Sequence, residues 1–179
     1  MDIQEELLYE HSKTQRDKIL RYIAADKEKF AKLMNLFFGK DRIISQRAAW
    51  VMSYCAEEHP ELIKPYLSKL VNNLSNEGLH DAIKRNTLRV LQNIDAPEKV
   101  QGKLIAICYT YILSKDEPAA VKAFALSVVY RICIQQPDLL NELKVIVDDL
   151  LQHSGSPAIL ARCKHIKRDF TKRVINFKK

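Results

Sequence analysis

This 179-residue chain has only four glycines and six prolines, too few to turn the many short strands of a sandwich or barrel. Leu, Ile, Ala, Lys, Glu and Gln recur in every segment, residues that lose little on entering a helix. The composition therefore predicts an all-α protein, and the length allows one domain, residues 1–179. No apolar run approaches the roughly 18 residues of a membrane-spanning helix. The opening MDIQEELLYEHSKTQRDK lacks the basic start, apolar stretch and small-residue cleavage site of a secretory signal, so the expectation is a soluble, cytoplasmic protein. Cys55, Cys108, Cys133 and Cys163 fall 53, 25 and 30 residues apart with no CxxC pair. Each lies inside an apolar periodic segment, which predicts free buried thiols rather than disulfides or a zinc site.

Catalytic signatures are missing as well. There is no Gly-rich phosphate loop, no GxSxG and no HExxH. Asp148 and Asp149 form an acidic pair, but an Asp-Asp-x-x-Asp site needs an acid where Gln152 stands. Glu77 and His80 have the i, i+3 spacing of a di-iron bundle, without the second motif and supporting glutamates that such a bundle requires. Cys163 and His165 point about 200° apart on one helix and cannot share a metal. Catalysis is unsupported, and no cofactor, metal or small-molecule substrate is expected.

What the chain does have is charge in one place. Of 29 Lys and Arg and 22 Asp and Glu, residues 1–156 hold 21 of each sign, so the net charge of +7 sits entirely in residues 157–179. That stretch, PAILARCKHIKRDFTKRVINFKK, carries eight cations and one acid, Asp169. On a helical wheel Ile159, Cys163, Ile166, Phe170, Val174 and Phe177 share one face and Lys164, Arg168 and Lys172 lie opposite. Lys167 and Lys178 flank one border, and Arg162 and Arg173 the other. An apolar stripe this regular predicts a docked terminal helix with a cationic outer face, not a disordered arm.

Apolar periodicity and Pro or polar punctuation predict helices near 3–11, 14–24, 26–38, 42–57, 60–75, 79–94, 97–114, 117–135, 137–153 and 157–176. Pro60, Pro97, Pro118, Pro137 and Pro157 fit first turns; Asp41, Ser114 or Asp116, and Ser156 fit N-caps; Gly39 and Gly155 fit stops or tight corners. One fragment recurs as DRIISQRAAWVMSYC, HDAIKRNTLRVLQNI, DEPAAVKAFALSVVYRI and SPAILARCKHIKRDF. Its basic anchors Arg47, Arg85, Lys122 and Arg162 stand 38, 37 and 40 residues apart, a period typical of repeat proteins.

An Asp six residues before the anchor, Asp41 before Arg47 and Asp116 before Lys122, resembles the second helix of a HEAT repeat. The units of Arg85 and Arg162 depart from it, with Leu79 and Ser156 where the Asp falls. The resemblance covers residues 26–176. It implies a right-handed α-α superhelix, a HEAT-like solenoid of about four helix pairs: residues 1–25 as N-terminal capping helices, 26–156 as repeats and 157–179 as a basic C-terminal helix. The helices near 42, 79, 117 and 157 are then second helices lining a concave side. A distant similarity to the repeat fold of DNA alkylation-repair glycosylases follows, since these enzymes hold duplex in a basic concave groove.

Candidate binding residues are therefore Arg47, Trp50, Lys84, Arg85, Arg89, Lys122, Arg162, Lys164, Arg168 and Lys172. The anchoring cations also have a packing role open to them, as ion pairs with the Asp of a neighbouring repeat. Trp50, like Tyr54, Tyr109, Tyr111 and Tyr130, suits either packing or stacking against a ligand base. The expected function is a non-enzymatic scaffold that binds an acidic protein partner on the concave face. Binding of a nucleic-acid backbone through the same cations is the alternative. A membrane surface is disfavoured because the tail's apolar face is committed to packing.

Overall fold

The computed structural model describes the backbone of residues 1–176 and the side chains of residues 1–172, and among these there is helix and turn but no strand. No helix there is long and apolar enough to cross a membrane. The chain divides into two compact units, Met1–Ala96 and Pro97–Lys179. The wheel positions Arg173, Val174, Phe177 and Lys178 lie outside the described side chains.

The first unit runs through α1 (Ile3–Tyr9), α2 (Lys13–Ile23), α3 (Lys27–Phe37), α4 (Arg42–Glu58), α5 (Pro60–Ile63), α6 (Leu67–Asn73) and α7 (Asp81–Leu91). Most of these starts are set by a side chain that accepts from the orphan amides of the first turn. Asp2, Ser12 and Asp26 cap α1, α2 and α3. Asp41 caps α4, accepting from the Ile43 and Ile44 amides at 2.9 Å each, and His80 Nδ1 caps α7 by accepting from Ala82 N at 3.1 Å. The Asp that the HEAT-like spacing singled out therefore begins its own helix.

Helix α4 is the hub of this unit. It buries Ile44, Ala48, Ala49, Val51, Met52, Cys55 and Ala56 and packs against α1, α2, α3, α5 and α7. Small residues at 48, 49 and 56 let several backbones approach one helix, while Phe30, Leu33 and Met34 of α3 and Leu88 and Leu91 of α7 are fully or almost fully buried. Each such aliphatic side chain contributes about 1.5–3 kcal/mol through burial.

The single helix expected over 60–75 is three pieces, with a 3-10 turn at Lys64–Tyr66 between α5 and α6. Pro65 explains it. Its ring collides with the carbonyl four residues back and it has no N–H to give, so an unbroken helix is blocked even though the apolar spacing continues.

The second unit holds α8 (Glu98–Leu113), α9 (Ala119–Gln135), α10 (Leu140–His153) and α11 (Pro157–Asn176). α9 is its hub, packing against α8, α10 and α11 and burying Val121, Ala125, Leu126, Val128, Val129, Ile132 and Cys133. Here the expected caps need correction. Pro97 and Pro118 are themselves the N-cap residues of α8 and α9. Ser114 ends α8 instead, and its hydroxyl accepts from Asp116 N at 3.2 Å. Pro137 opens a 3-10 turn ahead of α10 rather than α10 itself. All four cysteines are free and buried. Desolvation pushes the thiol of Cys55 up to about 12 and those of Cys133 and Cys163 to about 11.

Candidate binding surfaces

Arg47, Trp50, Lys84, Arg85 and Arg89 belong to the first unit, and Lys122, Arg162, Lys164, Arg168 and Lys172 to the second. In the first unit α4 presents Arg47, Trp50, Tyr54 and Glu57 along adjoining turns, at spacings of three and four residues that keep side chains on one face. Arg47 does not meet an Asp of a neighbouring repeat. Its Nη1 donates to the carbonyls of Leu7 at 2.6 Å and Leu8 at 3.1 Å, satisfying the unpaired end of α1.

Trp50 is half-buried. His11 meets it edge-on at 4.9 Å between centroids, Tyr54 lies 6.4 Å away in a T-shaped arrangement, and the Arg16 guanidinium sits 4.9 Å from the indole centroid. Tyr54 is enclosed more tightly. Arg16 lies 3.8 Å and Arg89 4.0 Å from its ring centroid, so both guanidinium groups stack against this one ring. Attraction between a cation and the ring's negative face holds each one. Arg89, and then Arg16, favour the phenolate and bring the Tyr54 hydroxyl below the ordinary phenol value, against the opposing effect of its burial.

The two arginines are also tied to carboxylates. Arg16, only 7% exposed, donates from Nε at 2.9 Å and from Nη2 at 2.5 Å to Oδ1 of Asp17. Arg89 donates from Nη2 to Glu57 Oε2 at 2.6 Å and from Nη1 to Ser53 Oγ at 3.4 Å. Beyond this cluster, Lys84 pairs loosely with Asp81 of its own helix at 3.7 Å, and Arg85 is exposed.

Sequence reasoning missed Arg16, Asp17 and Glu57. Arg16 sits on α2, read as part of the N-terminal cap, and nothing local signals that it reaches across α4 to Tyr54.

In the second unit Lys122 on α9 and Arg162 on α11 are half-buried. The wheel drawn for the last helix holds over the described side chains. Ile159, Cys163 and Ile166 are buried, Phe170 meets the Tyr130 ring edge-on at 5.3 Å, and Lys164, Lys167, Arg168 and Lys172 are exposed. Lys167 reaches Asp148 of α10 at 2.7 Å. Asp169, the segment's one acid, lies 3.6 Å from His165 Nε2, and the other ring nitrogen of His165 is 3.0 Å from Arg168 Nη2. No carboxylate among the described residues ion-pairs with Lys164, Arg168 or Lys172.

Paired helices whose second member carries a basic anchor, repeated at about 38 residues, are what a HEAT array is built from. A family model of the HEAT repeat domain matches residues 3–170. The chain belongs to the HEAT-repeat family. No curated protein and no solved structure matches it. HEAT repeats commonly serve as protein-interaction scaffolds, because stacked helix pairs offer extended surface without needing a pocket. In this HEAT-repeat chain the described residues include no group of three or more His, Cys, Asp and Glu placed to hold a metal ion.

Proposed function

We propose that the chain is a non-catalytic binding module for an acidic protein partner, and that the outward face of α11 is one of its docking surfaces. One observation carries this reading: α11 buries Ile159, Cys163 and Ile166 while leaving Lys164, Arg168 and Lys172 in water without carboxylate partners among the described residues. Packing accounts for the first set and gives no reason for the second. A solvent-facing helix side needs only polarity, which mixed charges supply; a one-sign row raises the local concentration of anionic partners and steers their approach.

The test is a joint charge reversal, Lys164→Glu, Arg168→Glu and Lys172→Glu, with binding to poly-L-glutamate measured by titration at low salt and helicity checked by circular dichroism. Affinity for the polyanionic polypeptide should fall at least tenfold with helicity unchanged, and unchanged affinity would refute the reading. Duplex DNA titrated in parallel distinguishes the alternative, nucleic-acid backbone binding: tight duplex binding, steeply salt-dependent and lost in the same variant, with none to poly-L-glutamate, would replace the protein partner by nucleic acid.

A further inference from the structure

The cluster around Tyr54 has a second feature besides its stacked rings. Each of the two arginines borders its own small cleft: one of about 10 Å³ lined also by His11 and Trp50, the other of about 20 Å³ lined also by Ser53 and Glu57.

The carboxylates now bound there are poor fits. Asp17 follows Arg16 directly on α2, and adjacent helix residues do not face one another. Both bonds from Arg16 consequently end on a single oxygen, Oδ1, rather than spreading over two. Glu57 likewise offers one oxygen, to one nitrogen of Arg89, and its side chain is 57% exposed. Arginine binds carboxylates best through two parallel bonds, and neither pairing achieves this.

We propose that Arg16 and Arg89, both held against the Tyr54 ring, form a two-pronged receptor for a pair of carboxylates on an acidic peptide, with Asp17 and Glu57 as exchangeable occupants. The choice of ligand rests on the reading of the chain as an acid-binding module, but the site lies in the first unit and its test does not depend on the cations of α11. Tyr54 sets the spacing. The two guanidinium carbons are no further apart than 3.8 Å and 4.0 Å laid end to end. Acidic residues two apart on an extended peptide are separated by about 7 Å, which falls within that limit. Carboxylates are favoured over phosphates because carboxylates already occupy both positions.

Trp50, the single tryptophan, reports on the site directly. The full chain is titrated with an acetylated, amidated Glu-Gly-Glu peptide while indole fluorescence is followed, with the Gly-Gly-Glu peptide as control. A saturable change is expected for the two-acid peptide, at least fivefold weaker for the one-acid peptide. Glu57→Gln and Asp17→Asn should each tighten binding severalfold by vacating a prong, and Arg89→Gln should weaken it about tenfold, thermal melts verifying that each variant is folded. No saturable change in the wild-type chain would overturn the proposal. So would Glu57→Gln and Asp17→Asn variants that bind no more tightly than wild type, or a response to a single-stranded oligonucleotide but not to the peptide. The Lys164, Arg168 and Lys172 reversal should leave the fluorescence titration unaltered, so the two sites fail or succeed separately.

Discussion

Helices α4 and α11 descend from the same recurring fragment, yet their cations do different work. On α4, Arg47 is spent on the carbonyls that end α1, and the rings of Trp50 and Tyr54 are covered by Arg16 and Arg89, both already on carboxylates. On α11 the anchor Arg162 is half-buried, while the row that follows it, Lys164, Arg168 and Lys172, stands in water. The difference shows that a basic residue at a repeat's anchor position is not by itself a binding signal. What decides its role is whether an unpaired backbone end, an aromatic face or an acid lies within its reach.

The largest effect should come from the face of α11 that is buried rather than charged. Ile166→Ala removes a fully buried side chain and should cost about 2–5 kcal/mol in denaturant unfolding; a cost below about 1 kcal/mol would mean α11 is not docked as described. Next, Arg47→Ala strips two carbonyls of a charged donor and should cost about 2 kcal/mol, whereas Lys164→Ala should stay within about 0.5 kcal/mol. Equal costs for the two would erase the contrast between the helices.

Backbone conformation separates the units too. Among the described residues positive φ occurs at Ala24, φ 44°, and Gly78, φ 67°, both in the first unit. Gly78 adopts it freely in the turn before α7, but Ala24, closing α2, carries a Cβ that this region disfavours. Ala24→Gly should raise stability by roughly 1 kcal/mol, measured by the same unfolding experiment.

The smallest effect, and one that reads the electrostatics directly, is tyrosine ionisation. Tyr54 is lowered by its arginines, while burial pushes Tyr109 up to about 12 and Tyr111 higher still. Since the folded state favours the Tyr54 phenolate, its contribution to stability is present only at alkaline pH and is lost as pH falls through the lowered value. Ultraviolet titration should show Tyr54 ionising before Tyr109 and Tyr111, and Arg89→Gln should move its transition to higher pH.

Much of this was legible in the sequence because it is local. Asp41 capping α4, the pairing of helices and the two-faced last helix all follow from spacing along a single segment. The break at Pro65 was hidden by apolar periodicity that runs across it, so that the pattern of the buried face outweighed one missing amide. The Tyr54 cluster was hidden for another reason: Arg16 and Arg89 are 73 positions apart in the chain, and only tertiary packing through α4 makes them neighbours. From sequence alone Arg47 fits a ligand group or an ion-pair partner, because its true acceptors, two main-chain carbonyls, leave no trace in residue identity.

The buried thiols supply a clock for each unit. Cys55 lies in the first, and Cys108, Cys133 and Cys163 in the second. None presents much reactive thiolate while the structure is closed, since each is held above its ordinary range and only the thiolate attacks. Alkylation therefore proceeds only as fast as a unit opens. Mass-resolved labelling of Cys55 against the other three would time the breathing of the two halves independently, in one sample and without altering a residue.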